Sequence, residues 1–202
     1  QLHDMVERAF DEAWIDFYPR DGKVGGAFDC GVPSARQSRV LTNFDGAFGD
    51  IVTLAHELGH AFAGYMAMRS QPISDYYSET TDIAEIHSMS MEQFAYPYAE
   101  WFFGDQADKF RFAHLQEALT FVPFGVAVDE FQHLMYQNPD LTPDERNAIW
   151  LELEHKYRPW IDFDNLPFYG RGAGWQRQLH IYQSPFYYID YCLAQTVALE
   201  IW

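Results

Sequence analysis

The stretch "LAHELGHAFAG", Leu54–Gly64, decides the reading of this chain. Two histidines stand four residues apart, and a glutamate follows the first. On an α-helix such a pair lies one turn apart on one face, so His56 and His60 can offer two imidazole nitrogens to a single metal ion. Glu57 sits about 100° round the helix from His56. From there it reaches a metal-bound water without being a ligand, which is the mechanical content of His-Glu-x-x-His. The bland alternative is a pair of core histidines bonded to backbone or carboxylates. Leu54, Leu58, Ala61, Tyr65 and Met68 form an apolar stripe that predicts a helix packed on a core. The histidine face continues with the small residues Ala63, Gly64 and Ala67, which predicts close approach of a second helix.

A catalytic zinc commonly takes three protein ligands and leaves one position for water. The segment "SETTDIAEIHSMSMEQF", Ser78–Phe94, follows as a second helical pattern rich in carboxylates. Asp82, Glu85 and Glu92 recur at spacings of three and seven on one face, together with Ser88 and Met89. His87 lies about 200° from Glu85 and reads as a structural histidine. Spacing alone leaves Asp82, Glu85 and Glu92 open as the third ligand.

The rest of the chain bounds the answer. With 202 residues, 48% hydrophobic and 18% aromatic, it is long enough for a sizeable core. The net charge of −17 repels nucleic acid and excludes it as a partner. No apolar run approaches the roughly 18 residues of a membrane span, so no membrane association is expected. Cys30 and Cys192 supply neither a disulfide framework nor a cysteine metal site, and the compartment expected is the cytoplasm. Helical patterning is already under way at Gln1 and no stop signal precedes Trp202. The chain therefore reads as one catalytic-core domain, 1–202, from a longer protein.

Periodicity predicts a mainly α fold with a small β-sheet or hairpin before the motif helix. A helix is expected over 2–15, then a Gly- and Pro-rich region with short apolar runs at Ala27–Phe28 and Val40–Leu41. Further helices are expected from about Asp50, over Thr80–Phe103 with a bend at Pro97, and over Asp105–Tyr136 with a bend at Pro123. Thr142, Pro143 and Glu145 spell a capping box. Ser184–Pro185 marks the start of the last helix. Gly25–Phe28 is expected as an edge strand able to pair with an extended peptide. "YGRGAGW" reads as a Gly-rich loop in which Arg171 is a candidate for meeting a peptide carboxylate. His3, His114, His133 and His155 are scattered singly and carry no assigned function.

"TLAHELGHAFAGY" followed by "SETTDIAEIHSMSMEQF" resembles the thimet oligopeptidase and oligoendopeptidase F family of zinc peptidases. "PRDGKVGGAF" and "HIYQSPFYYIDY" are similar to its oligoendopeptidase F branch. The resemblance implies a helical, zincin-like catalytic core in which Glu85 completes the site with His56 and His60, holding one Zn²⁺ per chain. It implies Glu57 as the general base. Asp82, Ser88 and Glu92 become candidates for holding the ligands in place. It further implies that His180, Tyr188 and Tyr191 face the zinc and donate hydrogen bonds to the tetrahedral intermediate. The substrates implied are oligopeptides, and the rest of the parent chain would complete the substrate channel. The competing readings are a zinc carboxypeptidase of related helical fold and a non-catalytic zinc or peptide-binding domain. Glu57 argues against the latter, because a structural site needs no general base.

Overall fold

The computed structural model describes residues 1–163 and 165–202. They fall into two compact units, 1–113 with 194–202, and 114–193.

In the first unit, helix α1 (Leu2–Asp11) buries Met5 and Ala9. It stops four residues short of the expected 2–15, because Ala13 takes a positive φ of 51° and turns the chain. The next residues enter strand β1 (Ile15–Asp16). Strands β2 (Phe28–Val32) and β3 (Gln37–Leu41) form an antiparallel hairpin, and β1 pairs with β3 in parallel, giving the order β1-β3-β2. The expected small sheet is therefore present. Only Phe28 of Gly25–Phe28 joins it, at the start of the edge strand. Gly25 to Ala27 stay outside because Gly26 turns at φ +84° and Asn43 Nδ2 ties down the carbonyls of Val24 and Gly26.

Helix α2 (Gly49–Ser70) carries the histidines. Its stripe behaves as the spacing predicts: Ala61 and Tyr65 are buried with Met5, Ala9, Trp14, Ile15 and Val40, and Leu54 and Leu58 pack against that cluster. Helix α3 (Thr81–Phe94) crosses α2 at Gly59. A Cβ there would lie 2.7 Å from Ser88 Cα and 2.8 Å from the His87 carbonyl oxygen, so only glycine admits the approach. The close contact thus falls at Gly59 rather than at the expected Ala63–Gly64–Ala67 run. Gly64 faces the Ser38 hydroxyl instead. The helix expected over Thr80–Phe103 is broken rather than bent. A single-turn 3-10 helix at Tyr96–Tyr98 separates α3 from α4 (Ala99–Phe103), because Pro97 supplies no N–H and disfavours helical backbone before it.

Helix α5 (Ala107–Gln137) runs on through Pro123, and its residues from His114 onward belong to the second unit. The expected capping box opens α6 (Pro143–Tyr157): Thr142 N–H donates to Glu145 Oε2 at 2.8 Å, and Glu145 N–H donates to the Thr142 hydroxyl at 3.4 Å. The core here is aromatic, with Phe131, Trp150, Trp175 and Tyr188 buried around Ala127, Val128 and Leu153. After a 3-10 turn at Gly174–Arg177 come the short helix α7 (His180–Gln183) and α8 (Tyr188–Ile201). The last helix does not begin at Ser184–Pro185. Phe186 holds φ +63°, which breaks helical continuity, and its N–H is clamped by the buried Gln132 Oε1 at 2.8 Å. Among the described residues no helix is long and apolar enough to cross a membrane.

Candidate active site

The Gly59 crossing sets Glu85 against both histidines. Glu85 Oε2 lies 3.3 Å from His56 Nε2 and 3.4 Å from His60 Nε2. Ligand atoms about 2.0–2.1 Å from a tetrahedral zinc are roughly 3.3–3.4 Å apart, so both separations match tetrahedron edges. They are longer than the roughly 2.7–2.9 Å of a direct charge-assisted hydrogen bond. The same site holds such a bond for contrast: His56 Nδ1 is 2.6 Å from Glu92 Oε1. Each of His56, His60 and Glu85 offers one ligand atom, all within 4.8 Å of one another. The donor set, two imidazoles and one carboxylate, suits zinc.

The surrounding bonds orient these donors. Glu92 accepts from His56 Nδ1–H, which directs Nε2 into the triangle. Ser88 donates its hydroxyl to Glu85 Oε2 at 2.9 Å. Of the three helpers suggested by sequence, Glu92 and Ser88 therefore touch the donors. Asp82 instead serves the first turn of α3, its carboxyl lowered by hydrogen bonds from the Thr80 side chain and the Ile83 backbone. His87 pairs with Glu79 at 3.0 Å, away from this face as expected.

Electrostatics separates the roles. Burial opposes charge on His56, but the adjacent Glu85 and Glu92 carboxylates outweigh it and carry its pKa up to about 10. Burial pushes the Glu57 carboxyl up to about 7, against the pull of His56 and His60. Glu57 is 5% exposed, and its Oε2 has no hydrogen-bond partner. A buried carboxylate oxygen of this kind is costly unless something is bound to it in the working state.

A cavity of about 440 Å³ opens beside His60, lined by β2 and the chain before α3, with Asp29, Ser38, Tyr77 and Glu79 on its wall. Sequence reasoning passed over Asp29. It accepts from the Ser38 hydroxyl at 3.0 Å, and burial raises its carboxyl pKa. Its position on β2 beside the neighbouring strand's Ser38 was the only available signal.

The second unit assembles the other expected group. His180 begins α7, with Tyr187, Tyr188 and Tyr191 around its ring at centroid distances of 5.9, 5.1 and 5.8 Å. The Tyr191 hydroxyl is 3.4 Å from His180 Nε2. Tyr188 is a core residue, packed on Phe121 and Phe124, and burial lifts its phenol well above the ordinary value. Arg171 is exposed with its guanidinium over the Phe168 ring.

Comparison with known proteins agrees with this architecture. The model of peptidase family M3 matches residues 1–202. A relative from Borreliella burgdorferi, an oligoendopeptidase F homolog, is 27% identical over 95% of this chain and 32% of its own length. A crystal structure described as an oligoendopeptidase F superposes with a TM-score of 0.95 at 46% identity, covering 98% of this chain and 35% of that one. A structure of PZ peptidase A with an inhibitor gives a TM-score of 0.95 at 43% identity, with the same coverage. The chain thus spans about a third of the length of the relatives it matches. With a family-wide match over its whole length, a shared fold and a metal-compatible donor triangle, the chain belongs to peptidase family M3.

Proposed function

We propose that the 202 residues act as one catalytic core of a zinc-dependent endopeptidase that hydrolyses peptide bonds in oligopeptides. The observation that carries this reading is the triangle of His56, His60 and Glu85 with the partnerless buried oxygen of Glu57 beside it. One zinc ion would be held by His56, His60 and Glu85; bound there, it supplies a Lewis acid that activates water and polarises a carbonyl. Glu57 takes the proton of the attacking water and returns it to the leaving amine. Tyr191, aligned by His180, donates a hydrogen bond to the tetrahedral intermediate, and Tyr188 supports the rings of both. The names of the relatives, oligoendopeptidase F and oligopeptidase, support oligopeptides as substrates over a carboxypeptidase action. The rest of the parent chain is assigned the completion of the substrate channel. Cys30 and Cys192 are not joined in a disulfide, which supports the reducing cytoplasm as the compartment.

The test pairs metal analysis with Glu57→Gln. Purified protein is expected to hold about one zinc per chain, to lose peptide cleavage to a chelator and to regain it with zinc. Glu57→Gln should keep the metal while kcat falls by at least roughly 10²-fold. Near-normal turnover in that variant would remove Glu57 from the base role, and loss of zinc would make it a ligand or support. Mass spectrometry of the products separates internal cleavage from trimming at the C-terminus.

A further inference from the structure

His56 and His180 are held through the same ring nitrogen by opposite chemistry. At His56 a carboxylate, Glu92, faces Nδ1. At His180 an amide nitrogen does: Gln178 Nε2 lies 2.6 Å from Nδ1. We propose that Gln178 is a positioning residue that fixes the tautomer of His180 and through it aims the Tyr191 hydroxyl hydrogen. This rests on reading Tyr191, aligned by His180, as the group that meets the tetrahedral intermediate.

A neutral imidazole has one donor and one acceptor nitrogen. A carboxylate can only accept, so His56 keeps its proton on Nδ1 and is left to offer Nε2 to a metal. An amide nitrogen can only donate, so His180 Nδ1 is the acceptor and the proton sits on Nε2. That Nε2–H points at the Tyr191 oxygen 3.4 Å away. The phenol oxygen then accepts, and its own hydrogen is directed away from His180. In the reverse tautomer the Tyr191 O–H would be consumed by Nε2. The order of donation therefore runs from amide to imidazole to phenol, and Gln178 sets its direction.

The backbone of Gln178 is well anchored. The backbone N–H of Gln178 donates to the Trp175 carbonyl at 3.0 Å, and its carbonyl accepts from Ile181 N–H at 3.1 Å. Trp175 is buried, its indole N–H bonded to Asn147 Oδ1 at 2.9 Å. On the other side, the three tyrosine rings around His180 resist the ring flip that would exchange its nitrogens.

The test reads the tautomer directly. Zinc-loaded protein labelled with ¹⁵N-histidine is examined by two-bond ¹H–¹⁵N correlation, with the His180 signals assigned by their loss in His180→Gln. The expected result is a protonated Nε2 and a bare Nδ1; a proton on Nδ1 overturns the proposal. In Gln178→Glu the partner becomes an acceptor, and Nδ1 is expected to become protonated; a bare Nδ1 there overturns it as well. Gln178→Met should lower kcat by roughly 10- to 100-fold, the scale of a misplaced group, with KM and zinc content little changed, and an unchanged kcat counts against the positioning role. The tautomer measurement needs no turnover. Failure of the peptidase reading would show instead as an inactive zinc-loaded wild type.

Discussion

The metal triangle and the His180 cluster are both built from histidine and an oxygen donor, yet they are hung on different supports. His56, His60, Glu85 and Glu92 all project from two long helices locked by a backbone contact at Gly59. His180 stands on a helix of only four residues, between a 3-10 turn and a turn whose Phe186 has a positive φ. Helical spacing fixes the first group with few degrees of freedom. The second depends on individual hydrogen bonds, those of Gln178 and Gln132 among them. A metal site needs donor atoms placed to within a few tenths of an ångström and kept there. A group that meets a substrate can be carried on a more articulated support.

Substitution along α3 puts that contrast at greatest risk. Glu85→Ala should abolish zinc binding and with it all peptide cleavage, measured by metal content and turnover in parallel. Glu92→Ala should weaken zinc by about 10- to 100-fold through loss of the His56 partner. Asp82→Ala should leave zinc affinity unchanged, because Asp82 bonds to Thr80 and Ile83 at the start of its own helix. If Glu92→Ala loses the metal and Glu85→Ala retains it, the triangle is wrongly assigned.

The next effect is in the His180 cluster. Tyr191→Phe removes the hydroxyl proposed to act in the transition state, and kcat should fall by about 10²–10³ with little change in KM. Tyr188→Phe keeps the ring that packs on Phe121 and Phe124, and turnover should stay within about threefold of wild type. Equal losses in both variants would mean that the two tyrosines share the role and that the core position of Tyr188 is no guide to its use.

The smallest effect sharpens the account of the support itself. Gly59→Ala places a methyl group against α3 backbone that cannot yield as a side chain does. Overpacking of this kind should cost about 1–3 kcal/mol in denaturant unfolding. Zinc affinity should fall in step. A variant as stable as wild type would show that α2 and α3 can part without penalty.

What could be read from sequence follows the same division. The histidine pair, the apolar stripe and the carboxylate face obey fixed helical angles, so His56, Glu57, His60 and the choice among Asp82, Glu85 and Glu92 were open to inspection. The choice of Glu85 came from family resemblance, and the structure supplies its physical content in two nearly equal distances. The capping box at Thr142 was legible because it is a local pattern. The start of α8 was not. Ser184–Pro185 is a sound start signal, but a buried glutamine 52 residues earlier than Ser184 pins the turn that displaces it. Asp29 and Gln178 were missed for the same reason, since neither a lone acid in a strand nor a glutamine two residues before a histidine announces its partner.

Written as a motif, His-Glu-x-x-His leaves two positions blank. Here neither is open to variation. Leu58 is packed against the core of Met5, Trp14 and Tyr65, and Gly59 is where the neighbouring helix touches. Three of the five residues of "HELGH" are the ones assigned chemistry, and the other two carry the fold. A mutational survey of this segment should therefore find no tolerant site in it, and the least tolerant of the supposed blanks should be the residue without a side chain.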